Sequence, residues 1–178
     1  GPVYDEFYFP GGFRIDFPDS PAQFRANLLA AFPDQREAID GYLHLAREVS
    51  KSMKAYYLSR IAPERVGRVA DALFARKAQR YLTMTTRSVV EELTEDPRLR
   101  AIFTAQWGYY GSVPSRSSFA IQALVTKHFL HGGYYPVGGA SQIARTLLGT
   151  VAKAGGWTVI RADVERILVE DGAARGVR

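Results

Sequence analysis

The stretch from Asp34 to Tyr57, DQREAIDGYLHLAREVSKSMKAYY, decides the architecture. Its apolar residues Ile39, Tyr42, Leu43, Ala46, Val49, Met53, Tyr56 and Tyr57 return every three or four positions. That period paints one face of an α-helix, whereas a half-buried strand would alternate every second residue. Working outward, Ser20 before Pro21 supplies a hydroxyl cap followed by a proline at the first helical position, so a short helix should run to about Ala31. Downstream, Pro63 interrupts the long stripe, and Val66, Val69, Ala70, Leu73 and Phe74 begin another. Thr86 to Leu93 reads as helix. Asp96 with Pro97 repeats the cap-plus-proline signal, and Leu99, Ile102, Phe103 and Trp107 follow at helical spacing. Gly108 and Gly111 bracket Tyr109 and Tyr110 and should stop that helix. A further helix from about Ser115 is expected to carry Ile121, Leu124, Val125 and His128 on one side. Residues 20–131 therefore read as a helical block.

The two flanks have another character. In residues 1–19, strand-prone Val3, Tyr4, Phe7, Tyr8 and Phe9 precede a Pro10-Gly11-Gly12 turn. Phe13, Ile15 and Phe17 then alternate with Arg14 and Asp16, which predicts an extended segment or hairpin. In residues 132–178, Gly132 to Gly139 is too rich in glycine and proline for regular structure. Ser141 is expected to cap a helix that Gly155-Gly156 ends. Trp157 to Arg161 and Val164 to Glu170 read as strands, and Asp171-Gly172 as a hairpin turn. The fold class is α+β, mainly helical. A hairpin with no further strands is marginal in water, so both ends are expected to be cut ends of a longer chain.

Bulk composition narrows the function. The 178 residues are 47% hydrophobic and 23% charged, ordinary for a globular protein. No apolar run reaches the ~18 residues of a membrane span. There is no cysteine, which excludes disulfides, thiolate metal sites and a cysteine nucleophile. The net charge of +5 admits nucleic acid, an anionic membrane surface, or solubility alone. The basic residues are spread along helical stretches, densest at Arg76, Lys77 and Arg80, and no nucleic-acid-binding signature accompanies them, so no nucleic-acid partner is expected. His44, His128 and His131 lack metal-site spacing, and Glu91, Glu92 and Glu95 read as a solvated helix face.

Four pieces, in order, resemble one family. LRAIFTAQWGYYG (Leu99–Gly111), continued by Pro114-Ser115 and Ser117-Ser118-Phe119, is similar to a stretch of retinol saturase and carotenoid isomerase relatives. GGYYPVGGAS (Gly132–Ser141) resembles their loop before a helix. Gly155-Gly156, Val164 to Val169 and Gly176-Val177 resemble their closing hairpin. Ala31-Phe32-Pro33-Asp34 with Ala38-Ile39 is a weaker match. The chain is thereby identified with the phytoene desaturase, carotenoid isomerase and retinol saturase group of FAD-dependent oxidoreductases. The resemblance implies a helical substrate domain plus a small strand portion of a two-domain protein. The family's Gly-x-Gly-x-x-Gly turn, which sets the FAD pyrophosphate at a helix N-terminus, is missing from these residues. The segment alone is therefore expected to bind FAD poorly.

The resemblance further implies hydride transfer between flavin and a carbon of a polyene or isoprenoid, with the protein supplying channel and orientation. A hydrophobic small molecule with few polar handles calls for an apolar and aromatic wall. Trp107, Tyr109 and Tyr110, at a glycine-broken helix end, and Tyr134, Tyr135 and Pro136 are the expected substrate-binding residues; the plain alternative is that they are core. Gly138 and Gly139 are expected where the chain returns to the flavin, or are simply a tight turn. Val164 resembles the strand residue whose backbone pairs with the adenine edge, or is a core valine. No catalytic residue is named. A helical lipid- or partner-binding module and an amine-oxidase-like flavoenzyme remain as alternatives. The expected location is cytoplasmic, compatible with peripheral membrane contact.

Overall fold

The structure is a computed structural model, and it describes residues 2–61 and 78–178. The expected stripe from Val66 to Phe74, with Arg76 and Lys77, lies outside the described residues. The chain divides into two compact units, Gly1–Tyr134 and Tyr135–Arg178. The architecture is α+β and mainly helical, with two separate two-stranded sheets.

In the first unit, β1 (Val3–Tyr8) pairs antiparallel with β2 (Arg14–Pro18), as the alternation around Ile15 demanded. Ile15 and Phe17 point inward, and the Phe17 ring lies 4.6 Å from Phe24 and 4.8 Å from Phe7. Helix α1 (Pro21–Ala31) starts where Ser20 Oγ accepts from the Gln23 N–H, with Pro21 in the first turn. A 3₁₀ turn at Pro33–Gln35 leads into α2 (Arg36–Ile61). Arg25 grips Asp40 through two hydrogen bonds, joining α1 to α2.

The α2 stripe is buried from Ile39 through Met53, but Tyr56 is only half-buried and Tyr57 is exposed. Residues 78–83 are helical, and then α3 (Thr86–Leu93) and α4 (Pro97–Thr104) follow. Asp96 Oδ1 accepts from the Arg98 and Leu99 N–H groups, so the expected cap forms. Past Thr104 the helix tightens to 3₁₀ at Ala105–Tyr109, which turns Trp107 out of the stripe. Gly111 follows at φ +70°, where the chain leaves the helix.

Helix α5 (Phe119–Phe129) buries a different face from the expected one. Ile121 and His128 are exposed, and Leu124 and Val125 are only half-buried. Phe119, Ala120, Gln122, Ala123 and Thr126 face inward instead. The reason is steric and polar together. The alanines admit close approach to α2, and Gln122 and Thr126 find hydrogen-bond partners inside. Hydrophobic periodicity alone assigned the larger aliphatic side chains to the core.

The second unit holds α6 (Ser141–Lys153) and a hairpin of β3 (Ile167–Glu170) and β4 (Ala173–Val177). No side chain of α6 is buried. Ser141 is the first helical residue rather than the cap; Ala140 occupies that position and makes no side-chain cap bond. Gly155, at φ +80°, ends the helix as expected. Asp171 and Gly172 both have positive φ, 51° and 74°, the signature of a type I′ hairpin turn. The expected strand at Trp157–Arg161 does not form: it has no ladder partner among the described residues, and Arg161 turns to φ +56°. Val164 also lies outside a strand. The ladder begins at Ile167 opposite Val177, and the Glu165 and Arg166 N–H groups both donate to the Arg178 carbonyl.

Candidate functional site

The candidate site is an aromatic ridge where β1, the 3₁₀ turn after α4 and the end of α5 meet in the first unit. The glycine-broken end of α4 presents Trp107 and Tyr109 outward, 42% and 51% exposed. Tyr109 is fixed at both ends. Its ring packs 4.8 Å from Phe129, and its hydroxyl donates to the Asp5 carboxylate. Phe129 is itself stacked on Tyr4, with centroids 5.6 Å apart and planes at 19°. Tyr4 meets Phe17 edge-on at 6.4 Å. Gln106, buried, donates to the Tyr4 hydroxyl at 3.0 Å. Gly133 completes the corner: a Cβ there would touch both Phe129 and Tyr4 at 3.6 Å.

Behind the ridge lies a buried polar relay. Tyr110 donates to Gln122 Oε1 at 2.6 Å. Gln122 Nε2 donates to the Phe103 carbonyl at 2.9 Å and to the Tyr42 hydroxyl at 3.1 Å. Tyr42 reaches the same carbonyl at 2.8 Å and pairs with Thr126 Oγ1 at 2.7 Å, while its ring stacks on Phe103 at 4.1 Å. One glutamine thus ties α2, α4 and α5 to the turn that carries the ridge. Such a network is strong only because every member is satisfied.

The phenols stay protonated. Burial pushes Tyr42 up to about 12, against the lowering pull of its hydrogen bonds to Thr126 and Gln122. Tyr109 is also pushed up to about 12, first by partial burial and then by its bond to the Asp5 carboxylate. Burial raises Tyr4 as well. A neutral phenol donates a hydrogen bond and presents an apolar ring. The ridge therefore presents apolar ring faces with neutral hydroxyls. Among the described residues, no three metal-ligating side chains come together.

Of the expected substrate residues, Trp107, Tyr109 and Tyr110 are brought together on one turn, with Tyr110 turned inward to Gln122. Tyr134 is 94% exposed and makes no hydrogen bond or ring contact among the described residues. Tyr135, Pro136, Gly138 and Gly139 form a turn of the second unit. The Gly139 N–H donates to the Pro136 carbonyl at 3.0 Å, and the Tyr135 hydroxyl accepts from the Ala140 N–H at 3.3 Å. Val164 is exposed, in irregular chain. Tyr4, Asp5, Gln106, Gln122 and Phe129 were not anticipated. A glutamine inside the apolar run from Phe119 to Val125 was the one local signal.

The flavin expected from the resemblance can be tested against the glycine turn. Gly138, at φ +83°, has its Cβ direction filled by Gln142 Nε2 at 2.8 Å, so this glycine serves the turn itself. Gly139 faces open space. Together they make a turn before a helix, which is not a dinucleotide site by itself, and no catalytic step follows from it.

No family model matches the chain. It is 35% identical to the zebrafish (Danio rerio) all-trans-retinol 13,14-reductase over 84% of its residues, and 32% identical to the human enzyme over 82%. It is 25% identical to chloroplastic prolycopene isomerase 1 of an Oncidium hybrid over 99%. The chain spans about a quarter of the length of these reductases and 31% of that isomerase. The chain is thus homologous, over that fraction of their length, to the retinol saturase and carotenoid isomerase family.

Proposed function

We propose that this chain is the substrate-side portion of an FAD-dependent oxidoreductase that saturates, desaturates or isomerises carbon–carbon bonds of a polyene or isoprenoid. The observation that carries the reading is its joint likeness to retinol reductases and prolycopene isomerases, two groups named for polyene substrates. The ridge supports it. Trp107 and Tyr109 offer an apolar wall, in which Tyr109 is held by Asp5 and Phe129. A hydrocarbon bound there gains by shedding water rather than by hydrogen bonding. The chemistry the flavin supplies is hydride exchange with a substrate carbon, and this chain's own contribution is to hold the chain of double bonds and exclude water. The turn at Gly138-Gly139 and the backbone at Val164 do not make a cofactor site by themselves; in this reading they would lie beside a flavin held mainly by residues outside this chain, with Tyr134, Tyr135 and Pro136 as further substrate contacts. A cytoplasmic protein touching a membrane surface completes it; no described helix is long and apolar enough to cross a membrane.

The test uses the full-length protein. It should be yellow, with a flavin absorption spectrum, and should convert all-trans-retinol or prolycopene. A colourless protein that converts neither removes the proposal. Trp107→Ala with Tyr109→Leu should then raise KM about tenfold, from loss of roughly 1–2 kcal/mol of apolar contact. An unchanged KM takes the ridge out of the substrate path.

A further inference from the structure

Away from the aromatic ridge, α2 and the C-terminal end of α5 enclose an open cleft of about 360 Å³, lined by Ser50, Lys54, Leu124, Lys127, His128 and His131. Of its six lining residues two are lysines and two are histidines, and none is acidic. Among the described residues, Lys54, Lys127, His128 and His131 have no carboxylate partner, whereas Lys51, one turn back on α2, is paired with Glu48 at 3.1 Å. Two lysines brought together from two helices offer an anion a pair of charged donors. The positive charge of Lys127 complements the C-terminal end of α5, but Lys54 sits within α2 and has no such role.

Ser50 adds a neutral donor. It is 6% exposed, lines the cleft, and its hydroxyl makes no hydrogen bond among the described residues. A helical serine ordinarily returns its hydroxyl to a carbonyl in the preceding turn, as Ser52 does to Val49 at 2.8 Å. Solvent reaches this hydroxyl through the cleft, so it can donate to an acceptor bound there.

We propose that this cleft binds a phosphate oxyanion, with Lys54 and Lys127 as charged donors, the Ser50 hydroxyl at the floor, and His128 and His131 at the rim. The phosphate of a lipid headgroup and free phosphate share this chemistry. The proposal does not depend on the polyene reading, and flavin content reports on that reading separately.

Binding is measured with the full-length protein in two arms: calorimetric titration with inorganic phosphate, and co-sedimentation with phosphatidylcholine vesicles with or without phosphatidic acid. Lys54→Gln with Lys127→Gln should weaken the operative arm about tenfold or more, and Ser50→Ala severalfold, with flavin content unchanged. The control, Lys51→Gln with Lys153→Gln, removes the same charge outside the cleft and should leave binding within twofold. Saturable binding of inorganic phosphate assigns a free ligand; binding only to phosphatidic acid vesicles assigns a headgroup; either supports the site. Absence of binding in both arms, or equal losses in the cleft and control variants, overturns it.

Discussion

The unit Gly1–Tyr134 and the unit Tyr135–Arg178 both contain a helix and an antiparallel hairpin, yet only the first turns them into a core. In the first, the hairpin delivers Ile15 and Phe17 onto Phe24, and α2 buries Ile39 through Met53 against small residues of α5. In the second, Ile143, Leu147, Leu148 and Val151 recur on α6 at helical spacing and every one is exposed, as are Ile167, Leu168 and Val169 on β3. Regular backbone hydrogen bonding is common to both. What differs is the removal of apolar side chains from water, the main favourable term in folding. A lone hairpin and a helix of 13 residues are each marginal without it. In this chain taken by itself, the first unit should therefore dominate stability, and the second should respond locally.

The sharpest way to break that contrast is at Phe103, which is buried and stacked on Tyr42 at 4.1 Å. Phe103→Ala should cost about 3–5 kcal/mol, read as a fall in urea midpoint. A loss under 1 kcal/mol would mean that the core does not govern unfolding.

Next in size is an alkaline effect. Tyr42 titrates near 10 when unfolded and is pushed up to about 12 in the fold. Between these values the unfolded state releases its proton first, so stability falls as pH rises. The contribution is fully present below pH 10, is lost progressively from about 10 to 12, and amounts to at most about 3 kcal/mol. Tyr4 and Tyr109 add in the same direction. Urea titrations across that range should show the decline, and Tyr42→Phe should make it shallower. An identical slope in the variant would exclude Tyr42 as its source.

Gln122→Leu probes the relay and should cost about 1–3 kcal/mol, because the inward-turned Tyr110 hydroxyl loses its acceptor and the Phe103 carbonyl one of its two donors. The same variant should loosen the 3₁₀ turn and raise amide exchange at Trp107 and Tyr109. Unchanged exchange there would show that the ridge is held from the Asp5 side alone.

How much of this was legible in the sequence follows from the range of each interaction. Local chemistry read true: Ser20-Pro21, Asp96-Pro97 and Asp171-Gly172 each begin or turn an element as their side chains and backbone preferences require. The α5 face did not, because Gln122 is stabilised by Tyr110, Phe103 and Tyr42, and hydrophobic periodicity counts a glutamine as surface. Val164 was placed in a strand on β-propensity, but a strand needs a partner, and the ladder starts three residues later. At the site, the glycine-broken turn of Trp107 and Tyr109 was visible. The Asp5 that anchors it lies 104 residues away, beyond the reach of any spacing rule.

The smallest effect tests the second unit by itself. Gly172 sits at φ +74° with open space in its Cβ direction, so Gly172→Ala brings backbone strain and no clash. The left-handed conformation costs a non-glycine residue about 1–2 kcal/mol. In a hairpin whose strands bury nothing, that is enough to open the ladder a large part of the time. Amides of Ile167–Glu170 and Ala173–Val177 should therefore exchange several times faster, while those of α2 and α5 keep their protection. If the core amides slow or quicken in step with the hairpin, the two units share one cooperative transition, and the stability of the hairpin comes from contacts beyond its own ladder.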